Sequence, residues 1–209
     1  VWAIGNIAGD CVEFRNKVLE HGALQHLLRC LKITDRSTTI RNATWALSNL
    51  CRGKPPPPFE AVQPALSTLA YLISSTDQEV LTDACWSLSY LSDGPPERIQ
   101  AVVNSGVCKR LVQLLGNQNQ MVQTPCLRSL GNIATGDDTQ TQVIIECGAL
   151  PALTKFLDHQ KPALRKEAAW IISNITAGSR DQLDAVIAVG AISSLLARIA
   201  DTQHADVRK

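Results

Sequence analysis

Trp170-Ile171-Ile172-Ser173-Asn174 is the last of five copies of one pattern. Trp2 with Asn6, Trp45 with Asn49, Trp86 with Tyr90 and Arg128 with Asn132 precede it, so the lead position recurs every 41 to 43 residues. A period near forty marks a stacked array of helical repeats, in which each repeat buries its apolar face against its neighbours. On a helix each residue turns about 100° around the axis, so the lead residue and the one four later share a stripe. The second and fifth residues after the lead are aliphatic in every copy: Ile4/Ile7, Leu47/Leu50, Leu88/Leu91, Leu130/Ile133 and Ile172/Ile175. With the compact residue two before the lead (Ala43, Ala84, Cys126, Ala168) they form a packing stripe. The Trp/Asn stripe is left to face elsewhere.

A second ruler runs between these copies. Gly22, Gly106, Gly148 and Gly190 each lie 20 residues after a lead position. An apolar pair stands three and four residues before each, as in Val18/Leu19 and Val186/Ile187, and a helical stripe such as Leu24, Leu27, Leu28 and Leu31 follows. Glycine permits a sharp bend there. Each repeat therefore reads as a short first helix, a Gly corner, a second helix, a polar loop (33–38, 74–78, 116–120) and a longer third helix. This three-helix, 42-residue unit resembles the armadillo repeat. The expected fold is all-α, a right-handed armadillo-repeat superhelix (an α-solenoid) whose third helices line a concave groove. Residues 1–209 read as a single array truncated at both ends, with approximate repeats 1–9 (partial), 10–52, 53–94, 95–136, 137–178 and 179–209 (partial). Residues 1–9 read as the end of a third helix closed by Gly9, and 201–209 as a loop entering another third helix. Exposed apolar surface is expected at both ends.

One repeat departs from the pattern. Pro64 stands where the glycine belongs, and Pro55-Pro56-Pro57-Pro58 displaces the first helix. Four prolines cannot continue a helix and favour an extended segment. The run reads as a stiff surface connection, the other reading being a ligand for a proline-recognising module.

Composition excludes several functions. A net charge of +1 removes the case for a broadly basic nucleic-acid surface. Seven cysteines are spread without a C-x-x-C pair or a His at ligand spacing, against both zinc and a disulfide scaffold. His21, His26, His159 and His204 fall at the ends or loops of repeats, no nucleophile pairs with them by spacing, and no Gly-rich phosphate loop occurs. No apolar run approaches the roughly 20 residues of a membrane helix. The chain is expected to be no enzyme and to need no cofactor or metal, nucleic acid or membrane.

What remains is the ladder. Indole faces attract cations, by about 0.5 to 2 kcal/mol each. An Asn amide carries both a donor and an acceptor, suited to the backbone of an extended peptide. The position three before the lead lies on the edge of the same stripe and holds Asn42, Asp83, Pro125 and Glu167; Asp10, Asp93, Asp137 and Asp138 follow the pentads. Acids beside a Trp ladder would concentrate a Lys/Arg-rich ligand. A generic armadillo interaction scaffold, indifferent to the Trp positions, is the rival reading.

The segments VWAIGNIAGD (1–10), WALSNLCR (45–52), CWSLSYLSDG (85–94) and WIISNITAG (170–178) resemble the importin-α family of nuclear-import adaptors along the whole chain. That family also has Tyr for Asn and Arg for Trp in its middle repeats, and a proline-rich connection in its fourth. The resemblance implies a receptor for nuclear localisation signals, shuttling between cytoplasm and nucleus. It places the chain from the third repeat to the start of the eighth. Trp2, Asn6, Asp10, Asn42, Trp45, Asn49, Asp83, Trp86 and Tyr90 would form the major peptide site. Arg128, Asn132, Thr135, Asp138, Thr141, Glu167, Trp170, Ser173 and Asn174 would form the minor one. The family's importin-β-binding segment is expected to lie outside this chain.

Overall fold

The computed structural model describes residues 1–200, so the reading of 201–209 lies outside the described residues. Their regular secondary structure is helical, with no strand among them. The chain divides into two compact units, Val1–Val107 and Cys108 onward. The first holds α1 (Trp2–Asp10), α2 (Val12–Glu20), α3 (Ala23–Ile33), α4 (Ser37–Cys51), the short α5 (Phe59–Val62) with a 3-10 turn (Gln63–Ala65), α6 (Leu66–Leu72), α7 (Gln78–Ser92) and α8 (Pro96–Asn104). The second holds α9 (Cys108–Leu114), α10 (Gln120–Ile133), α11 (Asp138–Glu146), α12 (Ala149–Phe156), α13 (Pro162–Thr176), α14 (Arg180–Ala188) and α15 (Ala191–Ala200).

The corner glycines behave as the spacing requires. Gly22, Gly106, Gly148 and Gly190 have φ of 73°, 77°, 83° and 76°. A Cβ at Gly106, Gly148 or Gly190 would meet nothing within 4 Å, so backbone conformation alone calls for glycine there. Gly9 differs: it lies inside α1, which runs on to Asp10, and does not terminate the helix. Its lack of a side chain serves contact instead, because a Cβ would come 2.8 Å from the Asn49 amide nitrogen.

The packing stripe fills the interior. In the first unit α4 packs against both α1 and α7, and in the second α10 packs against α13. Ala43, Leu47, Leu50, Ala84, Leu88, Cys126, Leu130, Ile133, Ala168 and Ile175 are completely buried. Each such leucine or isoleucine contributes about 1.5–3 kcal/mol through burial. The same position in α1, Ile7, is 46% exposed, because no described helix covers that side. Ile192, Leu196 and Ile199 of α15 are likewise exposed. Cys51, Cys85, Cys108 and Cys126 are buried and joined in no disulfide, and burial pushes Cys51 and Cys108 up to about 12, which keeps them protonated core residues.

Helix ends are set locally. Asp77 caps α7 by accepting from Glu79 N at 3.0 Å, and capping boxes start α11 (Asp137 with Gln140) and α14 (Ser179 with Gln182). The proline run is tied down by arginines. Buried Arg15 of α2 donates to Arg52 O at 2.7 Å and Pro55 O at 2.9 Å, while Arg98 of α8 donates to Pro57 O at 2.8 Å and lies over the Phe59 ring. Two of its carbonyls are thus held by neighbouring helices, and Pro57 is buried.

Candidate functional site: the third-helix faces

Each tryptophan lies in a helix that carries the pentad, and the rings of Trp45 and Trp170 rest on a glycine of another such helix. In the first unit the six-membered ring of Trp45 (α4) lies against Gly5 of α1, so closely that a Cβ there would collide with it. In the second unit Trp170 (α13) sits in the same way on Gly131 of α10. The ladder is therefore partly interior, since Trp45, Trp86 and Trp170 are half-buried. Trp2, with no described helix beyond it, is 64% exposed. The glycine seats are positions that the lead-and-plus-four pattern did not single out. The signal was present, because the third residue after every lead is small: Gly5, Ser48, Ser89, Gly131 and Ser173.

The asparagines are also engaged. Asn49 is only 3% exposed, and its Nδ2 donates to Gly5 O at 3.0 Å. Arg52 adds a second tie to α1, donating to Gly9 O at 2.8 Å. Asn132 is 8% exposed. Asn49 thus spends an amide proton on the preceding helix, whereas Asn6 on α1 is exposed.

The rest of the first-unit set lies around this frame. Asp10 ends α1 and Asn42 stands on α4, both exposed. On α7 the Trp86 and Tyr90 rings stack at 5.8 Å with 22° between their planes, so Tyr90 extends the aromatic face where the other repeats carry an amide. Asp83, one turn before Trp86, is half-buried, and desolvation together with the Glu79 charge pushes its carboxyl up to about 6. Glu79 itself faces Arg41 at 3.2 Å, and Arg41 is held by Asp77 at 2.6 Å. Among the described residues no cation pairs with Asp83 in that way. Its charge is held at a cost that an arriving cation would offset.

In the second unit Arg128, Glu167 and Trp170 come together. Arg128 Nη2 lies 2.6 Å from Glu167 Oε1, and the guanidinium carbon lies 5.7 Å from the Trp170 ring centroid. Glu167 Oε2 and Asn174 Nδ2 are buried without a hydrogen-bond partner, and Ser173 is exposed. Thr135, Asp138 and Thr141 occupy the turn after α10 and the start of α11, outside the Arg128–Glu167–Trp170 contact. Thr135 Oγ1 donates to Asn132 O at 2.6 Å, the Asp138 carbonyl accepts from Gln182 at 2.7 Å, and Thr141 is 3% exposed. No group of three or more His, Cys, Asp or Glu side chains among the described residues could hold a metal ion.

Repeats of this geometry define the class. The chain belongs to the armadillo/beta-catenin-like repeat family, which it matches over residues 11–52, 54–93, 95–135 and 137–177. Among solved structures it is similar to a computationally designed armadillo repeat protein for modular peptide recognition (TM-score 0.92, 27% identity, 99% of this chain and 87% of that one). It is similar also to a designed armadillo repeat protein in complex with a (KR)4 peptide (TM-score 0.90, 30% identity, 99% and 86%).

Sequence relatives are more particular. The chain is 59% identical over 114 residues to importin subunit alpha-2 of Arabidopsis thaliana and 60% identical over 114 residues to importin subunit alpha-1b of Oryza sativa subsp. japonica. In each case the match takes in 54% of this chain and 21% of the relative, so the shared stretch is about one fifth of the relatives' length.

Proposed function

We propose that this chain is the cargo-binding part of an importin-α-type receptor, taking extended Lys/Arg-rich localisation signals along its third-helix faces. The observation that carries this reading is the seated indole beside a carboxylate. A ring held in place, on glycine for Trp45 and Trp170 or stacked on Tyr90 for Trp86, presents one face to a cation without losing freedom on binding, and Asp83 and Glu167 lie on the stripe edge beside Trp86 and Trp170. The (KR)4 peptide of the designed neighbour and the names of the plant relatives point the same way. In this reading Trp2, Asn6, Asp10, Asn42, Trp45, Asn49, Asp83, Trp86 and Tyr90 serve one signal cluster. Arg128, Asn132, Thr135, Asp138, Thr141, Glu167, Trp170, Ser173 and Asn174 serve a second, which a bipartite cargo would engage through effective concentration. Shuttling between cytoplasm and nucleus, with importin-β bound outside these repeats, completes the proposal.

The test is fluorescence anisotropy of a labelled Lys/Arg-rich peptide against the same peptide with every Lys and Arg replaced by Gln. Binding of the basic peptide alone, weakened by salt, is the expected result. Equal binding of both peptides, or of neither, overturns the reading.

A further inference from the structure

The second unit carries a cation of its own where the reading above places that of a ligand. An indole face and a carboxylate are the two groups that would recognise a Lys or Arg side chain. At Trp170 and Glu167 both are already engaged by Arg128, at 5.7 Å and 2.6 Å. The engagement is incomplete. Arg128 keeps 48% of its side chain exposed and reaches one carboxylate oxygen, leaving Glu167 Oε2 buried without a partner. Asn174 Nδ2, one turn beyond the ring, is buried without a partner as well. A buried acceptor and a buried donor flanking one ring are the mark of a seat still open to a further group. In the first unit no side-chain cation among the described residues lies over Trp45 or Trp86.

We propose that Arg128 is a built-in competitor, a resident guanidinium that occupies the Trp170–Glu167 seat and must swing aside before a cationic peptide side chain can enter. This rests on the peptide-receptor reading and concerns how one of its two sites is regulated: Arg128 belongs to that site as its gate, not as a contact to the ligand's cation. Displacement is feasible because Arg128 is half-exposed, reaches Glu167 through one oxygen only, and can hand its charge to water as it leaves. The seat also discriminates. A ligand guanidinium can satisfy both oxygens of Glu167, which a point-like ammonium cannot do in the same geometry, so arginine evicts Arg128 better than lysine.

The test follows the four tryptophan indole N–H signals by NMR in the whole chain, with Trp170 assigned by its loss in Trp170→Phe. A Lys/Arg-rich peptide is titrated into wild type, Arg128→Met and Arg128→Lys. Arg128→Met should tighten the apparent Kd read at Trp170 by about three- to tenfold at low salt, and Arg128→Lys, which keeps a competing charge, should stay within about twofold of wild type. Arg128→Gln supplies a second neutral variant with the same expected gain, and thermal unfolding confirms that each is folded. If the wild-type Trp170 signal titrates but both neutral variants bind no tighter, Arg128 is no competitor and this inference alone falls. If the peptide moves no indole signal in wild type or in either neutral variant, the receptor reading fails and takes the inference with it.

Discussion

Trp45 and Trp170 hold the same place in the repeat and rest on the same kind of seat, but their surroundings differ. Beside Trp45 the amide of Asn49 is buried and bonded to Gly5 O, and no cation among the described residues covers the ring. Beside Trp170 the Asn174 amide nitrogen is buried without a partner, and Arg128 lies over the ring. One pentad thus yields a finished structural joint in the first unit and an unfinished, self-occupied seat in the second. The residue types within a single pentad do not decide this. Those of the preceding pentad, about forty residues earlier, do, acting across the joint between successive third helices.

The largest effect should come from filling a seat. Gly131→Val drives a side chain into the Trp170 ring and should cost about 3 kcal/mol in urea unfolding. Gly5→Val should cost less, about 1 kcal/mol, because α1 has an open side along Ile7 and can shift. Equal costs would mean that the two joints are equally constrained. Next, Asn49→Ala removes a buried hydrogen bond and leaves Gly5 O unsatisfied, at about 1–2 kcal/mol, whereas Asn174→Ala should change stability by no more than about 0.5 kcal/mol. The reverse order in denaturation midpoints would erase the distinction between joint and seat.

A smaller, pH-dependent effect is expected at Asp83. Its folded-state value of about 6 lies above the ordinary aspartate value, so the folded chain binds this proton more tightly than the unfolded one. The stability contributed by the neutral carboxyl is fully present below about pH 4 and is lost as pH rises through 6. Asp83→Asn should therefore stabilise the protein by about 1 kcal/mol at pH 7.5, after allowance for partial solvent access, and leave it nearly unchanged at pH 4. A gain that is the same at both pH values would show that no buried charge is being carried.

Much of this architecture is legible in the sequence because it rests on repetition. The paired aliphatics after each lead mark the core, and the corner glycines mark the left-handed turns, since each reflects one local requirement met several times over. Distinctions within the ladder are harder to read. That Asn49 is spent on Gly5 O depends on two helices meeting 44 residues apart in sequence. The Arg128–Glu167 pair likewise spans 39 residues. The small residue three after each lead was visible, but its purpose as a ring seat follows only once successive third helices are placed side by side. Buried Arg15 and Arg165 were invisible for the same reason: their value lies in the loop carbonyls they satisfy, Arg52 and Pro55 for one, His159 and Gln160 for the other.

The most direct test of the seated ladder as a receptor for basic peptides is calorimetric titration of a Lys/Arg-rich peptide into wild type and Trp45→Leu. Leucine keeps an apolar body on the Gly5 seat and removes only the aromatic face. Binding about tenfold weaker in the variant, with its fold intact, is the predicted result. Unchanged affinity would contradict it, and the tryptophans would then serve only to join one repeat to the next.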